Sequence, residues 1–138
     1  MSRREIATAA APAAIGPYSQ AVEIDGFVFC SGQLGLDPVT GELSDGVDDQ
    51  TERALLNLEA VLGAAGLTMA DVVKTNIFLV DLANFTHINA IYSRHVVEPA
   101  PARSTVQVAA LPRNALIEIE AVARRSQLVD AIAKPSIR

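Results

Sequence analysis

A few side chains in this chain of 138 residues are spaced so that they could do chemistry. Arg103 heads the run PARSTVQVAALP (101–112), whose following apolar positions, Val106, Val108, Ala109 and Ala110, read as buried. A guanidinium beside a core is costly unless something pairs with it. The partner is a carboxylate of this chain, a partner subunit or a ligand. Further on, LIEIEAVAR (116–124) sets Glu118 and Glu120 two residues apart in a strand-like run, and so on one face. A carboxylate there can accept the proton that an attacking water sheds.

Other reactive residues offer less. His87 and His95 are eight apart on one helical segment and diverge by roughly 80°, without the i, i+4 geometry of a chelating pair. His95 falls near the end of that segment, where it complements the helix dipole. Cys30 is the single cysteine, so no internal disulfide can form. It lies in the apolar stretch GFVFCSGQ (26–33), with no base beside it, and reads as a small buried hydrophobe. The sequence contains no Walker-type glycine loop, dinucleotide fingerprint or nucleophile elbow. Ordinary side chains and backbone dipoles must carry any chemistry, with no metal and no cofactor.

The elements that would position these residues follow from periodicity and punctuation. QAVEIDGFVFCS (20–31) reads as two strands joined at Asp25-Gly26, a hairpin turn signal. GLDPVTGELSDG (35–46) is a loop. Residues 48–65 carry Ala54, Leu55, Leu58, Val61, Leu62 and Ala65 at helical spacing, with acids in the first turn and Gly66 after the end. DVVKTNIFLV (71–80) suits a central strand. A second helix over about 84–97 places Phe85, Ile88, Tyr92 and Val96 on one stripe, and Pro99 and Pro101 follow it. Strands over roughly 103–110 and 116–125 flank LPRN. The pattern predicts an α+β fold, a mixed β-sheet with two helices packed on one face. In the last strand Ile117, Ile119, Ala121 and Ala123 point one way, while Leu116, Glu118, Glu120 and Val122 point the other. Neither side looks like an ordinary solvated surface, so a second copy is the expected cover.

Length and composition set the outer bounds. One domain over residues 1–138 is expected. No apolar run approaches a membrane span, and Glu5, Pro12 and Pro17 interrupt the N-terminal stretch that a signal peptide would need, which leaves a cytoplasmic location as the default. The net charge of −5 and the absence of tryptophan argue against nucleic acid, which calls for a basic face or stacking aromatics.

Several stretches, taken in order, carry a resemblance. IGPYSQAV (15–22), SGQ (31–33) with DPVTGEL (37–43), VVKTNIFLVDLANF (72–85) and PARSTVQVAALP with IEIEAVA (101–123) together resemble the RidA (YjgF) family of reactive-intermediate imine deaminases, over about residues 5–125. The resemblance implies a chorismate-mutase-like fold assembled as a homotrimer, with clefts at the subunit interfaces. It also implies hydrolysis of small 2-imino acids (2-iminobutanoate, 2-iminopropanoate) to 2-oxo acids and ammonia, without metal or cofactor. By the motif match, Arg103 would bind the substrate carboxylate, and its planar fork suits two parallel hydrogen bonds. Glu118 would position the hydrolytic water. Tyr18 would line the pocket, Gly32 would offer its backbone N–H to the carboxylate, Asn89 would contribute from the second helix, and main-chain groups at Thr105 would contact substrate and water. Thr105 stands where many relatives have cysteine, and residues 126–138 extend past the matching region. Two other readings stay open on the residues alone: a module that binds small carboxylates without turnover, and an endoribonuclease or translation inhibitor.

Overall fold

A computed structural model describes residues 2–126. The strands are β1 (Arg4–Ile6), β2 (Ala21–Ile24), β3 (Phe27–Leu34), β4 (Val72–Leu79), β5 (Ala102–Gln107) and β6 (Ile117–Arg124), and they form one sheet in the order β1-β2-β3-β6-β4-β5. Asp25 and Gly26 take positive φ of 53° and 81°, the pair of left-handed residues that a two-residue hairpin turn needs, and they join β2 to β3. β4 and β5 run parallel, and the other neighbours are antiparallel. A parallel pair needs a crossover, which the helix α2 (Phe85–Ser93) supplies.

The other helix, α1 (Gly46–Ala64), starts with Asp48 and Asp49 in its first turn, and Gly66 follows it at φ 76°. Its apolar stripe of Ala54, Leu55, Leu58, Val61 and Leu62 is fully buried against Val28, Ile117, Ile119 and Ala123 in one core. The mixed α+β architecture read from the pattern is the one observed, and one strand side is covered by helices as expected.

Two buried polar residues of α1 tie this helix to the strand ends. Asn57 donates to the carbonyls of Leu34 (3.0 Å) and Leu36 (2.8 Å). Gln50 donates to the Ser44 carbonyl and accepts from the Leu116 N–H. Both side chains are satisfied, which their burial requires.

The structure departs from the expected pattern in four places. β5 ends at Gln107 rather than near residue 110, and Val106, Ala109 and Ala110, which read as buried, are exposed in the single chain. β1 was not foreseen: it is three residues long, and only Ile6 is buried. α2 ends at Ser93 rather than near residue 97, and a 3₁₀ turn, Leu82–Asn84, precedes it. His95 therefore lies beyond the helix and does not cap its dipole. Its Nδ1 sits 2.7 Å from Glu59 and its Nε2 2.9 Å from Glu52, so it bridges α2 to α1. Of the 126–138 extension, residues 127–138 lie outside the described residues.

Candidate active site

The sheet divides the candidate residues into two groups by strand parity. Arg103 in β5 is paired with Thr75 in β4, and Thr75 with Ala121 in β6. Ala121 and Thr75 are buried, so Arg103 shares the helix-covered side. Glu118 lies three residues from Ala121 and points to the opposite side.

On the helix side, at the β5 edge, the guanidinium carbon of Arg103 lies 4.9 Å from the ring centre of Tyr92 and 5.4 Å from that of Phe85. Both rings belong to one stripe of α2, with Asn89 between them at i+4 from Phe85. The Tyr92 hydroxyl is 2.7 Å from Thr75 Oγ1, in a buried hydroxyl pair. Thr105 follows Arg103 by two residues on the same face. Asn89 Oδ1 and Thr105 Oγ1 are buried and have no hydrogen-bond partner. Such orphaned oxygens are uncommon in a finished interior. Among the described residues no carboxylate comes within 4.0 Å of Arg103. Its N–H fork is held beside aromatic rings with no carboxylate of the described residues against it.

Across the sheet, Tyr18, Gly32 and Glu118 line one cavity of about 110 Å³, together with Gln20, Gln33 and Pro112. Gly32 falls in the irregular stretch of β3, between Cys30 and Gln33, where the pairing with β6 shifts register. Its φ is not left-handed, so backbone shape is not what requires glycine here. Space is the reason: a Cβ at Gly32 would lie 2.6 Å from Glu118 Cδ and 2.8 Å from Oε2. The Glu118 carboxyl thus rests directly on the Gly32 backbone. Burial, and secondarily the charge of Glu120, pushes the Glu118 carboxyl above the usual range. Glu120, on the same face, accepts from Asn76 Nδ2 at 3.0 Å and does not line the cavity. Ser31 donates to the Ser19 carbonyl (2.6 Å), and its N–H donates to the Gln20 carbonyl. These bonds hold the 18–20 segment beside Gly32. Tyr18 itself is 54% exposed.

The structure thus brings Arg103, Asn89 and Thr105 together, and Tyr18, Gly32 and Glu118 together, on opposite sides of the sheet of one chain. Sequence reasoning placed Phe85 and Tyr92 on an apolar stripe without linking them to Arg103. Their seven-residue spacing was the available signal. It assigned no role to Thr75, Gln20 or Ser31, whose roles depend on long-range pairing. Cys30 is 7% exposed and burial pushes its thiol up to about 12, which makes it a core residue. His87 is exposed and unconnected to His95. Among the described residues no cluster of His, Cys, Asp and Glu has the arrangement of a metal site, and no helix is long and apolar enough to cross a membrane.

The sequence profile of the Endoribonuclease L-PSP family matches residues 8–125, which includes both groups. The chain belongs to this family. Within it, the chain is similar to the human 2-iminobutanoate/2-iminopropanoate deaminase, 48% identical over 130 residues that cover 94% of this chain and 95% of the human one. It is 52% identical to Reactive Intermediate Deaminase A, chloroplastic, of Arabidopsis thaliana, over 89% of this chain and 66% of that longer protein. Among solved structures, a putative endoribonuclease of Thermotoga maritima superposes with a TM-score of 0.87 at 49% identity, covering 90% of this chain and 98% of that one. E. coli TdcF with bound serine superposes with a TM-score of 0.85 at 44% identity, covering 89% and 99%. The Arabidopsis protein carries the Reactive Intermediate Deaminase A name that the motifs pointed to, and the chain shares the mixed α+β fold of the two solved structures.

Proposed function

We propose that this RidA-family chain hydrolyses 2-imino acids, such as 2-iminobutanoate and 2-iminopropanoate, to 2-oxo acids and ammonia, at sites completed between copies of the chain. The observation that carries the reading is the Arg103 guanidinium, held by two rings and unpaired with any carboxylate of the described residues. A small carboxylate supplies the missing anion, and the fork fixes its orientation as well as its charge. The names of relatives at 45–48% identity give the same substrate class.

The chemistry needs little beyond positioning. An imine next to a carboxylate is already electrophilic, and more so when protonated. Arg103 and the Gly32 N–H hold the carboxylate, while Tyr18, Asn89 and the main chain at Thr105 shape the pocket. Glu118 orients a water toward the C=N carbon. The water oxygen bonds to that carbon as the C=N π pair moves to nitrogen, and Glu118 takes the proton the water sheds and passes it to nitrogen, giving a tetrahedral carbinolamine. Glu118 then takes the hydroxyl proton as the C=O bond forms, and the C–N bond breaks with that proton delivered to the leaving nitrogen, so that a 2-oxo acid and ammonia remain. Burial that raises the Glu118 pKa makes it a better acceptor in this step. No metal or organic cofactor enters.

Because Arg103 and Glu118 occupy opposite sides of one sheet, the site forms where the Arg103 edge of one copy meets the Glu118 face of another. We assign the assembly to a homotrimer of the chorismate-mutase-like kind and the location to the cytoplasm. The uncovered sheet face supports assembly: Phe29 and Val106 on it are 48% and 45% exposed.

The test uses chains with Arg103→Ala and Glu118→Ala. Each alone should leave 2-iminobutanoate to its spontaneous decay. Unfolded and refolded together in equal amounts, they should regain about a quarter of wild-type activity, since half of the copies bring an intact Arg103 and half an intact Glu118. Wild-type activity in either single variant, or no recovery on mixing, would sink the shared-site reading. Calorimetric binding of 2-oxobutanoate with no turnover by the wild type would instead establish the carboxylate-binding module.

A further inference from the structure

We propose that Tyr92 is the positioning residue for Arg103, fixed in turn by the Thr75 hydroxyl; this rests on the reading of Arg103 as the carboxylate-binding residue. The three residues form a closed circuit. Thr75 and Arg103 are direct neighbours in the parallel β4–β5 ladder. The Thr75 side chain holds the Tyr92 hydroxyl at 2.7 Å. The Tyr92 ring lies 4.9 Å from the Arg103 guanidinium carbon.

Three features separate this from ordinary core packing. An arginine on an edge strand has several rotatable bonds and, among the described residues, no partner carboxylate, so something must choose its conformation; a ring face attracts a guanidinium while leaving its in-plane N–H edge free. Phe85 also faces Arg103 but is 40% exposed, whereas Tyr92 is 6% exposed and Thr75 is fully buried. The anchored ring is therefore that of Tyr92. Finally, phenylalanine would fill the same volume. A buried hydroxyl is disfavoured unless it is paired, and this one is paired to the strand residue that sits beside Arg103. The bond fixes the ring against β4, and through the ring it fixes the fork.

The experiment measures 2-oxobutanoate binding by calorimetry, and kcat and KM for 2-iminobutanoate, in the wild type, Arg103→Ala, Tyr92→Leu, Tyr92→Phe, Thr75→Val and the Tyr92→Phe/Thr75→Val double variant, each checked for folding by circular dichroism. Tyr92→Leu should raise both Kd and KM about tenfold with kcat within about twofold, as expected for a lost cation–π platform. Tyr92→Phe should rescue most of that loss. Thr75→Val should reproduce the small residual loss of Tyr92→Phe, and the double variant should lose no more than either single one, because all three remove one bond. Folded Tyr92→Leu that binds 2-oxobutanoate as the wild type does, while Arg103→Ala does not bind, overturns the inference and leaves the carboxylate reading intact. Arg103→Ala that binds as the wild type does overturns both. Should Tyr92→Leu not fold, the hydroxyl pair decides: equal, non-additive losses support the inference, and additive or absent losses overturn it.

Discussion

Replacing Gly32 by alanine should abolish most activity while leaving the fold in place. The added Cβ would fall 2.6 Å from Glu118 Cδ, 2.8 Å from Cγ and 2.8 Å from Oε2. Carbon atoms in favourable contact are about 3.5–4.0 Å apart, so the carboxyl must retreat by roughly 1 Å. The clash involves only the far end of a flexible side chain, and a Glu118 turned about 30° off its rotamer costs about 0.5–1.5 kcal/mol. The chain can absorb that through a small rotation. The reaction cannot, because a displacement of about 1 Å at a group that aims a water is enough to cost about 10²-fold. Progress curves of 2-iminobutanoate, generated in place by a dehydratase, would give kcat/KM, and thermal melting would give stability. The expected result is a loss of about 10²-fold, short of the complete loss expected for Glu118→Ala, with Tm lowered by no more than a few degrees. A Gly32→Ala chain that keeps wild-type kcat/KM would refute the placement of the Glu118 carboxyl against the Gly32 backbone as a working geometry.

Gly35→Ala should behave in the opposite way: its Cβ would meet Gln50 Cα at 2.5 Å and the Gln50 carbonyl oxygen at 2.6 Å, backbone of α1 that cannot rotate aside. Overpacking of about 1–3 kcal/mol is expected, read as a fall in Tm of about 5–10 °C. Glu120→Gln should move the acid limb of the kcat/KM–pH profile to lower pH, since burial raises the Glu118 pKa most and the Glu120 charge raises it further; an unmoved limb would remove Glu118 as the titrating base. His95 supplies a stability test. Burial opposes its charge, but hydrogen bonds to Glu52 and Glu59 outweigh that and raise its pKa above the usual histidine value. A raised folded pKa contributes stability in full below the unfolded value of about 6.5 and loses it as pH climbs through the folded value. Denaturant midpoints should therefore fall as pH rises above about 6.5 in the wild type, and the fall should be absent in His95→Gln.

Much of this molecule is legible where local chemistry decides structure. Asp25-Gly26 announces its turn because few other pairs tolerate two left-handed residues. The apolar stripe of α1 shows its length and buried side directly. β1 escapes notice because a strand of three residues has no period to detect. α2 looks longer than it is because Val96 continues the stripe, while the chain leaves the helix at Ser93 and spends His95 on two glutamates of α1. The candidate site residues are picked out by their motifs, yet their division into two groups is not. Arg103 and Glu118 lie in different strands, so their parity cannot be compared until the register through Thr75 and Ala121 is known. Tyr92 reads as core for the same reason: its ring meets Arg103 directly, but only once α2 is packed on the β4–β5 pair, where Thr75, a residue distant in sequence, holds its hydroxyl.

The separation of Arg103 from Glu118 has a chemical logic. A guanidinium free to reach Glu118 would pair with it, lower its pKa by about 1–3 units and occupy the fork meant for the substrate. Both functions would be lost in one contact. Here the ring of Tyr92 holds the cation on one wall, and the backbone of Gly32 supports the carboxyl on another, with burial, and after it the charge of Glu120, keeping its pKa high. Neither side chain can swing toward the other without leaving its support. In the proposed assembly, in which copies of the chain bring these walls face to face, the gap between them would stay open to a small anion. The supports of the two charges, more than the charges themselves, therefore decide whether the cleft binds substrate or collapses into an ion pair.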